Sequence, residues 1–326
     1  MKTVLITGVA GFIGSHLAEF YLRNNHCVIG VDNFLTGSTE NITVLKKISE
    51  ENFFFFQHNV CDDWSKIKTD LQNLISSKKY PNLSKPALVY HLASPAAVNQ
   101  YQKYSLETLW ANSLGLEKAL NFADESEARL IFSSTSEVYG SPLNSPQNES
   151  DLGLVNSFGP RSCYDEGKRF GEALIYETNR NKTTQHGLVR IFNTYGPRMN
   201  AGDGRVVIQF IRQALKHQDL TIYGDGKQTR CFCHVDDLIR GLILYADSAI
   251  TTPINLGNDI ETTVHQLAQL IIDLTQSRSR ITFLPALADD PLQRRPDLRK
   301  AYEVLRYKPR IDLKKGLLDL IETARQ

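Results

Sequence analysis

The sequence of 326 residues contains few cysteines and no long apolar run. Its five cysteines, Cys27, Cys61, Cys163, Cys231 and Cys233, are odd in number and scattered, so they indicate neither a disulfide framework nor paired zinc ligands, and they predict a reducing compartment. No apolar run approaches the roughly 20 residues of a membrane span, and no signal-peptide pattern precedes the first strand-like run. We therefore expect a cytoplasmic protein with no membrane partner and no metal.

An excess of charge of either sign is also missing. The chain has 37 basic and 36 acidic residues and a net charge of +1. Such a balance provides no general attraction to nucleic acid, so we expect no nucleic-acid partner, although a small anionic substrate remains compatible with it.

Short apolar runs alternate with segments of helical periodicity, and this alternation predicts the fold. The predicted helices include Ser15–Asn24, an amphipathic helix within 64–86, Ser105–Phe122 and Asp165–Asn179. The predicted strands are Thr3–Thr7, Cys27–Val31, Phe53–Phe56, Ala87–Leu92, Arg129–Ser133 and Leu188–Phe192. The pattern is typical of an α/β protein with a Rossmann-type, doubly wound parallel sheet covered by helices on both faces.

The first turn of the chain carries the spacing GxxGxxG at Gly8, Gly11 and Gly14. Glycines there permit a tight turn, a close approach of backbone to a pyrophosphate, and close packing of the next helix on the sheet. Asp32 ends the second apolar run, where a carboxylate can bind a ribose, and no arginine follows it directly to bind a 2′-phosphate. The sequence therefore predicts a dinucleotide site that prefers NAD to NADP.

Tyr164 and Lys168 are four residues apart within a predicted helix, which places both side chains on one face. An ammonium beside a phenol favours the phenolate, so the tyrosine could act as a base near neutral pH. Taken alone, such a pair more often forms an ordinary solvated helix face, and its position relative to the other motifs is what favours the functional interpretation.

Further segments carry a resemblance to the extended short-chain dehydrogenase/reductase family along nearly the whole chain, and within it to the UDP-glucuronate decarboxylases. These segments are His91–Ala96, Ser134–Gly140, Gly159–Arg169, Arg190–Met199, Asp203–Val207, Tyr223–Arg230 and Arg294–Asp297. The resemblance implies an NAD-binding domain over residues 1–196 and a smaller α/β domain over 197–326 that mainly binds a nucleotide sugar, with the chain free to cross between them. In this second part we predict helices at Val206–Lys216, Asp236–Ala246 and Thr263–Thr275 and strands at Leu220–Tyr223 and Ile281–Leu284.

The implied reaction is the NAD-dependent conversion of UDP-glucuronate to UDP-xylose through a 4-keto intermediate, with the cofactor regenerated in each turnover. Tyr164 and Lys168 would serve the oxidation at carbon 4, Thr135 would contact the 4-hydroxyl, and Ser136 and Glu137 would face carbons 5 and 6. The alternatives are a UDP-hexuronate 4-epimerase, a nucleotide-sugar 4,6-dehydratase and a non-catalytic NAD-binding protein. Dehydratases of the family carry an Asp-Glu pair where this chain has Ser136 and Glu137, and simple epimerases typically lack the glutamate.

The resemblance also implies which residues bind the two ligands. The substrate residues would be Asn193, Val206, Tyr223 and Gln228, with Arg205, Arg230 and Arg294 near the uridine diphosphate, while Arg161 and Arg198 fit a salt bridge as well as a ligand. NAD would contact Gly8, Gly11, Phe12, Ile13, Gly14, Asp32, Asn33, Asn59, Val60, Leu92, Ala93, Tyr164 and Lys168. Asn59 departs from the aspartate usual at its position, but its amide oxygen can still accept a hydrogen bond from adenine. A homodimer through the helices at Ser105–Phe122 and Asp165–Asn179 is implied as well.

Overall fold

The computed structural model describes residues 1–200, 202, 204–285 and 293–325. A parallel sheet forms the centre of the molecule, and three smaller sheets lie beside it. The strands are β1 (Thr3–Thr7), β2 (Cys27–Asp32), β3 (Phe53–Gln57), β4 (Leu88–His91), β5 (Arg129–Thr135), β6 (Gly187–Ile191), β7 (Thr194–Tyr195), β8 (Leu220–Tyr223), β9 (Thr229–Cys231), β10 (Cys233–His234), β11 (Ile254–Leu256), β12 (Glu261–Thr263), β13 (Ile281–Leu284) and β14 (Gln293–Arg294).

The large sheet has seven strands in the order β11-β6-β5-β4-β1-β2-β3, and all of its pairings are parallel. Every residue of β1, β2 and β4 is buried, because helices cover both faces of the sheet. The predicted fold class is confirmed, and all six predicted strands of this sheet are present. β11 was not predicted, since three residues are too few to show a periodicity.

Helices connect the strands and cover the sheet. They are α1 (Phe12–Arg23), α2 (Thr39–Ile48), α3 (Ser65–Ser76), α4 (Val98–Lys103), α5 (Ser105–Asn112), α6 (Leu114–Glu125), α7 (Ser162–Asn181), α8 (Val206–Leu215), α9 (Val235–Ala246), α10 (Val264–Thr275), α11 (Arg299–Leu305) and α12 (Leu313–Arg325), with a 3-10 turn at Ser136–Tyr139. The longest, α7, packs tightly on β5 at Gly171, where a Cβ atom would lie 2.6 Å from the Phe132 ring.

The prediction of one continuous helix over Ser105–Phe122 is wrong. The chain interrupts it at Ser113, whose φ and ψ of −114° and −84° are not helical. The Ser113 hydroxyl donates to the Leu109 carbonyl, and the Asn112 amide donates both to the Thr108 carbonyl and to the Ser94 hydroxyl. These side chains compete with the helix's own hydrogen bonds, which is the physical reason for the break.

In the second half of the chain, β8 and β13 pair in parallel, and β9 pairs with β12 and β14. The predicted strands Leu220–Tyr223 and Ile281–Leu284 are confirmed, as are the three predicted helices within one residue at their ends. β11 belongs to the large sheet although it lies far beyond residue 196, so the chain crosses between the two parts, and the domain division at 196 stays a prediction. None of the helices in the described ranges is long and apolar enough to cross a membrane.

Candidate active site

A cavity of about 920 Å³ opens where the strands of the large sheet end. Gly8, Leu92 and Asn193 follow β1, β4 and β6 closely, and Thr135 ends β5, so all four lie at the carboxyl edge of the sheet and line the cavity. The carboxyl edge of an open parallel sheet is where ligands of such folds bind.

The glycine loop between β1 and α1 forms one wall of this cavity. Gly8 has φ +72°, and a Cβ there would lie 2.8 Å from the Ala93 nitrogen, while a Cβ on Gly14 would lie 2.1 Å from the Gly8 oxygen. Gly11 precedes the helix and has no side chain to cap its first N–H groups. The loop therefore leaves an open helix N-terminus beside a cradle that side chains would fill, and this arrangement fits the pyrophosphate of a dinucleotide.

Asp32 fixes the loops on both sides of this cradle. Its carboxylate accepts hydrogen bonds from the Ala10 nitrogen at 3.0 Å and the Phe34 nitrogen at 2.8 Å. Burial raises the pKa of Asp32, and the backbone hydrogen bonds from Phe34, Ala10 and Asn33 oppose that increase. One accepted bond on each oxygen leaves acceptor capacity on both, so the carboxylate can still bind a ribose hydroxyl.

Several predicted cofactor residues do not line the cavity. The side chains of Asn33 and Asn59 accept bonds from the nearby backbone nitrogens of Leu35 and Cys61. Val60 is buried against Gly115, and the Ala93 nitrogen donates to Thr7. Asp32 does not line the cavity either. The contacts of these five residues with NAD remain predictions.

Tyr164 and Lys168 lie on α7 and both line the cavity, as their spacing predicts. The Lys168 ammonium donates to the Ser133 carbonyl at 2.6 Å and lies 5.7 Å from the centre of the Tyr164 ring. The Tyr164 ring stacks on Tyr101, with ring centres 5.1 Å apart and an interplanar angle of 8°. The tyrosine is thus held in one orientation by a neighbour that the sequence did not indicate.

The pKa values of this pair differ from the sequence-based expectation. Burial lowers the pKa of Lys168 to about 7, opposed by the Glu172 carboxylate. Burial also raises the pKa of Tyr164 to about 12, against the lowering effects of Thr135 and Arg205. In this structure Lys168 therefore does not by itself bring the pKa of Tyr164 towards neutrality, because desolvation of the buried phenol dominates; the role of the pair as a base stays a prediction.

Glu137 lies between two arginines at another wall of the cavity. Its carboxylate accepts two bonds from Arg294, one of them at 2.9 Å, and a further bond from Arg161. Burial alone would raise the pKa of Glu137, but the charges of Arg294 and Arg161 outweigh burial and hold it below its ordinary value. Glu137 is therefore a carboxylate at neutral pH, and Thr135 orients it by accepting a bond from its backbone nitrogen at 3.2 Å.

Arg161 and Tyr101 are the site residues that sequence reasoning underrated or missed. The Arg161 guanidinium lies 5.9 Å from the centre of the Tyr101 ring, and both residues line the cavity. Behind Arg161 lies the buried Asp165, whose pKa is raised to about 7 by burial and by the Glu137 charge. Arg161 precedes Tyr164 by one helical turn, and this spacing could have indicated from the sequence that it lies near the tyrosine. Its contact with Glu137 is decided by the tertiary structure.

The predicted substrate residues separate into two groups. Asn193, Arg205, Val206, Arg230 and Arg294 line the cavity together with Thr135, Ser136 and Glu137. Arg230 and Arg294 are register partners on β9 and β14, which explains their proximity.

Tyr223 and Gln228 do not line the cavity. They are joined to each other by a bond of 2.7 Å from the Gln228 amide to the Tyr223 carbonyl. Cys231 and Cys233 are buried free thiols, and no group of three or more His, Cys, Asp or Glu side chains within the described ranges is arranged to hold a metal ion.

The parallel sheet, the glycine loop and the cavity at the carboxyl edge of the sheet define a dinucleotide-dependent enzyme. A family model described as the NAD dependent epimerase/dehydratase family matches residues 4–257. The chain belongs to this family, in agreement with the resemblance found in the sequence, and its cofactor is NAD.

Individual relatives whose names state an activity show which members of the family this chain resembles. The chain is 44% identical over 321 residues to UDP-glucuronic acid decarboxylase 1 of Danio rerio, covering 98% of this chain and 72% of the relative. It is 41% identical to UDP-glucuronic acid decarboxylase 2 of Arabidopsis thaliana, over 99% of this chain and 68% of the relative.

Solved structures also resemble the chain over nearly its whole length. UDP-glucose 4-epimerase of Thermotoga maritima with UDP-glucose has a TM-score of 0.86 and 28% identity, covering 99% of this chain and 98% of that one. UDP-glucuronic acid 4-epimerase of Bacillus cereus, in complex with UDP-glucuronic acid and NAD, has a TM-score of 0.83 and 29% identity, covering 99% of each chain.

We predict that Lys168→Met stabilises the protein most at low pH. The pKa of Lys168 is about 7 in the folded chain against an ordinary 10.5, so the unfolded chain binds more protons between these values. The lysine therefore destabilises the fold most below pH 7, and this cost disappears as the pH rises through the window. Thermal melts should show the gain in Tm of Lys168→Met over wild type at about pH 6 shrinking by about pH 10.

Methionine does not titrate, so the pH dependence of this difference is set by the pKa values of Lys168 in the folded and unfolded chain, and lost packing adds only a constant offset. Lys47→Met, at an exposed position on α2, serves as the control and should show no such trend. A difference for Lys168→Met that does not vary with pH would contradict the prediction.

Proposed function

We propose that this protein decarboxylates UDP-glucuronate to UDP-xylose through a 4-keto intermediate. One observation carries the proposal: Glu137, clamped by Arg161 and Arg294, lines the same cavity as Tyr164 and Lys168. A carboxylate and two guanidinium groups beside a tyrosine base suit a sugar that carries its own carboxylate. The decarboxylase relatives support the same substrate.

NAD, when bound, supplies a two-electron acceptor and a positive charge beside the phenol. The glycine loop, with Gly8, Gly11 and Gly14 as its spacing residues and Phe12 and Ile13 opening α1, would hold the pyrophosphate at the open helix N-terminus. Asp32 would bind the adenosine ribose from its place behind that loop.

Tyr164 would take the proton of the sugar's 4-hydroxyl and return it at the end of the turnover. Thr135 would contact the same hydroxyl, since it lines the cavity and lowers the pKa of Tyr164. Lys168 would support the phenolate electrostatically from its position on the Ser133 carbonyl. Because the pKa of Tyr164 is raised by burial, the phenolate depends on positive charge gathered around it when the ligands bind.

Oxidation at carbon 4 places a ketone β to the sugar's carboxylate. The bond between carbons 5 and 6 can then break, with its electron pair forming an enolate on the ketone and carbon 6 leaving as carbon dioxide. Arg294, which the resemblance places near the uridine diphosphate, bonds to Glu137, so we reassign it: Arg161 or Arg294 would hold the carboxylate before it leaves, while Ser136 and Glu137 would face carbons 5 and 6. The enolate then takes up one proton from water at carbon 5 in place of the lost carboxylate, and carbon 4 is reduced back to the alcohol as Tyr164 returns its proton to the oxygen.

The remaining cationic side chains of the cavity would bind the diphosphate. Arg205 and Arg230 line the cavity and can bind phosphate oxygens bidentately, and Asn193 and Val206 line the same wall. Tyr223 and Gln228 do not line the cavity, so for these two residues we propose only that they lie near the uracil.

Identifying the product of the reaction distinguishes decarboxylation from 4,6-dehydration and 4-epimerisation. A 4,6-dehydratase needs an acid facing the 6-hydroxyl, and the buried side chain at that position is Ser136. A UDP-hexuronate 4-epimerase would bind the same substrate, as the Bacillus cereus structure does, but would return the 4-epimer without releasing carbon dioxide.

We predict that Tyr164→Phe and Glu137→Gln stop the reaction at different steps. Tyr164→Phe removes the base of the first step, so no NADH absorbance should appear with UDP-glucuronate. Glu137→Gln should lower turnover by a factor on the order of 10² to 10⁴ while still permitting oxidation, so NADH should accumulate. Absorbance measurements with mass and NMR analysis of the product test both variants.

Tyr302→Phe, on the exposed face of α11, is the matched control and should retain full activity. Undiminished carbon dioxide release by Tyr164→Phe would contradict the mechanism. Loss of water from a UDP-hexose, in place of loss of carbon dioxide from UDP-glucuronate, would transfer the assignment to the dehydratases.

We also propose a homodimer formed by α5 and α7. The two helices pack together, and large apolar side chains point outward from them: Leu106 is 63% exposed, Trp110 51%, Phe170 52% and Tyr176 63%. Four such residues on adjacent helices form an apolar patch of the kind that protein interfaces cover.

We predict that the wild type is a dimer at micromolar concentration and that Trp110→Glu is a monomer, because a charge in the centre of the patch would be buried without a partner. Light scattering measures the mass directly. Tyr302→Glu, which alters an aromatic residue of similar exposure on α11, should leave the dimer intact. A monomeric wild type would refute the proposal.

A cytoplasmic location is proposed on the state of the thiols, since all five cysteines are free. Fractionation of the source cells should recover the protein with cytosolic markers, and recovery with a secretory compartment would oppose this.

A further inference from the structure

The short segment that follows Arg294 is hydrogen-bonded to Gln147, a glutamine far away in the sequence. Gln147 lies in the loop between β5 and α7 and is only 1% exposed. Its backbone nitrogen donates to the Arg295 carbonyl at 2.8 Å, and its backbone oxygen accepts from the Asp297 nitrogen at 2.8 Å. Its side-chain oxygen accepts from the Arg295 nitrogen at 2.7 Å. Three bonds thus hold the backbone directly after Arg294.

The same glutamine is joined to the other side of the site. Asn255 on β11 donates to the Gln147 carbonyl at 3.0 Å and accepts a bond of 2.7 Å from the Tyr139 hydroxyl. Tyr139 ends the 3-10 turn that contains Glu137. Both partners of the ion pair between Arg294 and Glu137 are therefore attached to one buried polar frame.

We infer that Gln147 is a positioning residue that fixes Arg294 for recognition of the substrate's carboxylate. A guanidinium binds a carboxylate through two parallel hydrogen bonds, so its usefulness depends on its orientation. β9 holds Arg294 on one side by strand pairing, and Gln147 holds the backbone that follows it. Without the Gln147 side chain, the Arg295 N–H loses its acceptor and only the two backbone bonds to Gln147 and the pairing with β9 hold this segment, so the orientation of the guanidinium becomes less closely fixed.

The inference rests on the proposed function and predicts a selective defect. Gln147→Ala should weaken binding of UDP-glucuronate about tenfold but change binding of UDP-glucose, which has no carboxylate, by less than about twofold. NAD binding should not change. Calorimetric titration of the full chain with each ligand measures these affinities, and hydrogen exchange should show faster exchange at the Arg295 amide.

Two further variants make the test decisive. Gln147→Glu keeps an acceptor for the Arg295 nitrogen, because burial favours the neutral carboxyl, whose O–H can also replace the Gln147 amide that donates to the Asn144 carbonyl, so UDP-glucuronate should bind within about threefold of wild type. Asn179→Ala also removes a side chain that bonds a neighbouring segment, through the nitrogen and oxygen of His186, but far from the cavity, and it should affect neither ligand. Should Gln147→Ala fail to fold, the same ratio of affinities is measured on Gln147→Glu and on Gln147→Asn, whose shorter side chain should reproduce the selective loss.

An equal loss of UDP-glucuronate and UDP-glucose binding, or no loss of either, would overturn the inference. If the wild type releases no carbon dioxide from UDP-glucuronate, the proposed function fails and the inference falls with it. If the wild type does release it and only the selectivity of the Gln147 variants is missing, the proposed function stands and Gln147 is merely structural.

Discussion

The contact between Glu137 and Arg294 joins two segments of this chain that are 157 residues apart. A buried carboxylate without partners would be strongly destabilising, so the site forms only when the strand carrying Arg294 reaches the 3-10 turn carrying Glu137. Arg161 supplies a second guanidinium from α7, which brings the same helix that contains Tyr164 into the contact. The wall of the cavity that carries these three charged residues depends on this interaction.

A second set of polar contacts keeps α7 in register with β5. Lys168 donates to the Ser133 carbonyl, and the Ser134 hydroxyl donates to Glu172 one turn further along the helix. Arg190 on β6 binds the Glu172 carboxylate with bonds of 2.9 and 2.7 Å. Since buried polar groups tolerate little displacement without losing their partners, these bonds fix where Tyr164 stands relative to Thr135 and Glu137.

The burial that makes the site rigid also sets its chemistry. Desolvation raises the pKa of Tyr164 and lowers that of Lys168, so both groups favour their neutral forms. Glu137 remains charged because two arginines outweigh the same desolvation. Burial therefore keeps the Tyr164 phenol protonated in this structure, while two guanidinium groups beside one carboxylate leave the Glu137 wall of the cavity with an excess of positive charge.

The sequence by itself determined the parallel sheet, the glycine turn and the placement of Tyr164 and Lys168 on one helix face, because periodicity and local spacing are properties of neighbouring residues. It also carried the family resemblance that the comparisons with known proteins confirm. The tertiary structure alone decided the break at Ser113, the stacking of Tyr101 and the bonding of Gln147. These depend on groups far apart in the chain, whose desolvation and hydrogen bonding are fixed only when the segments meet.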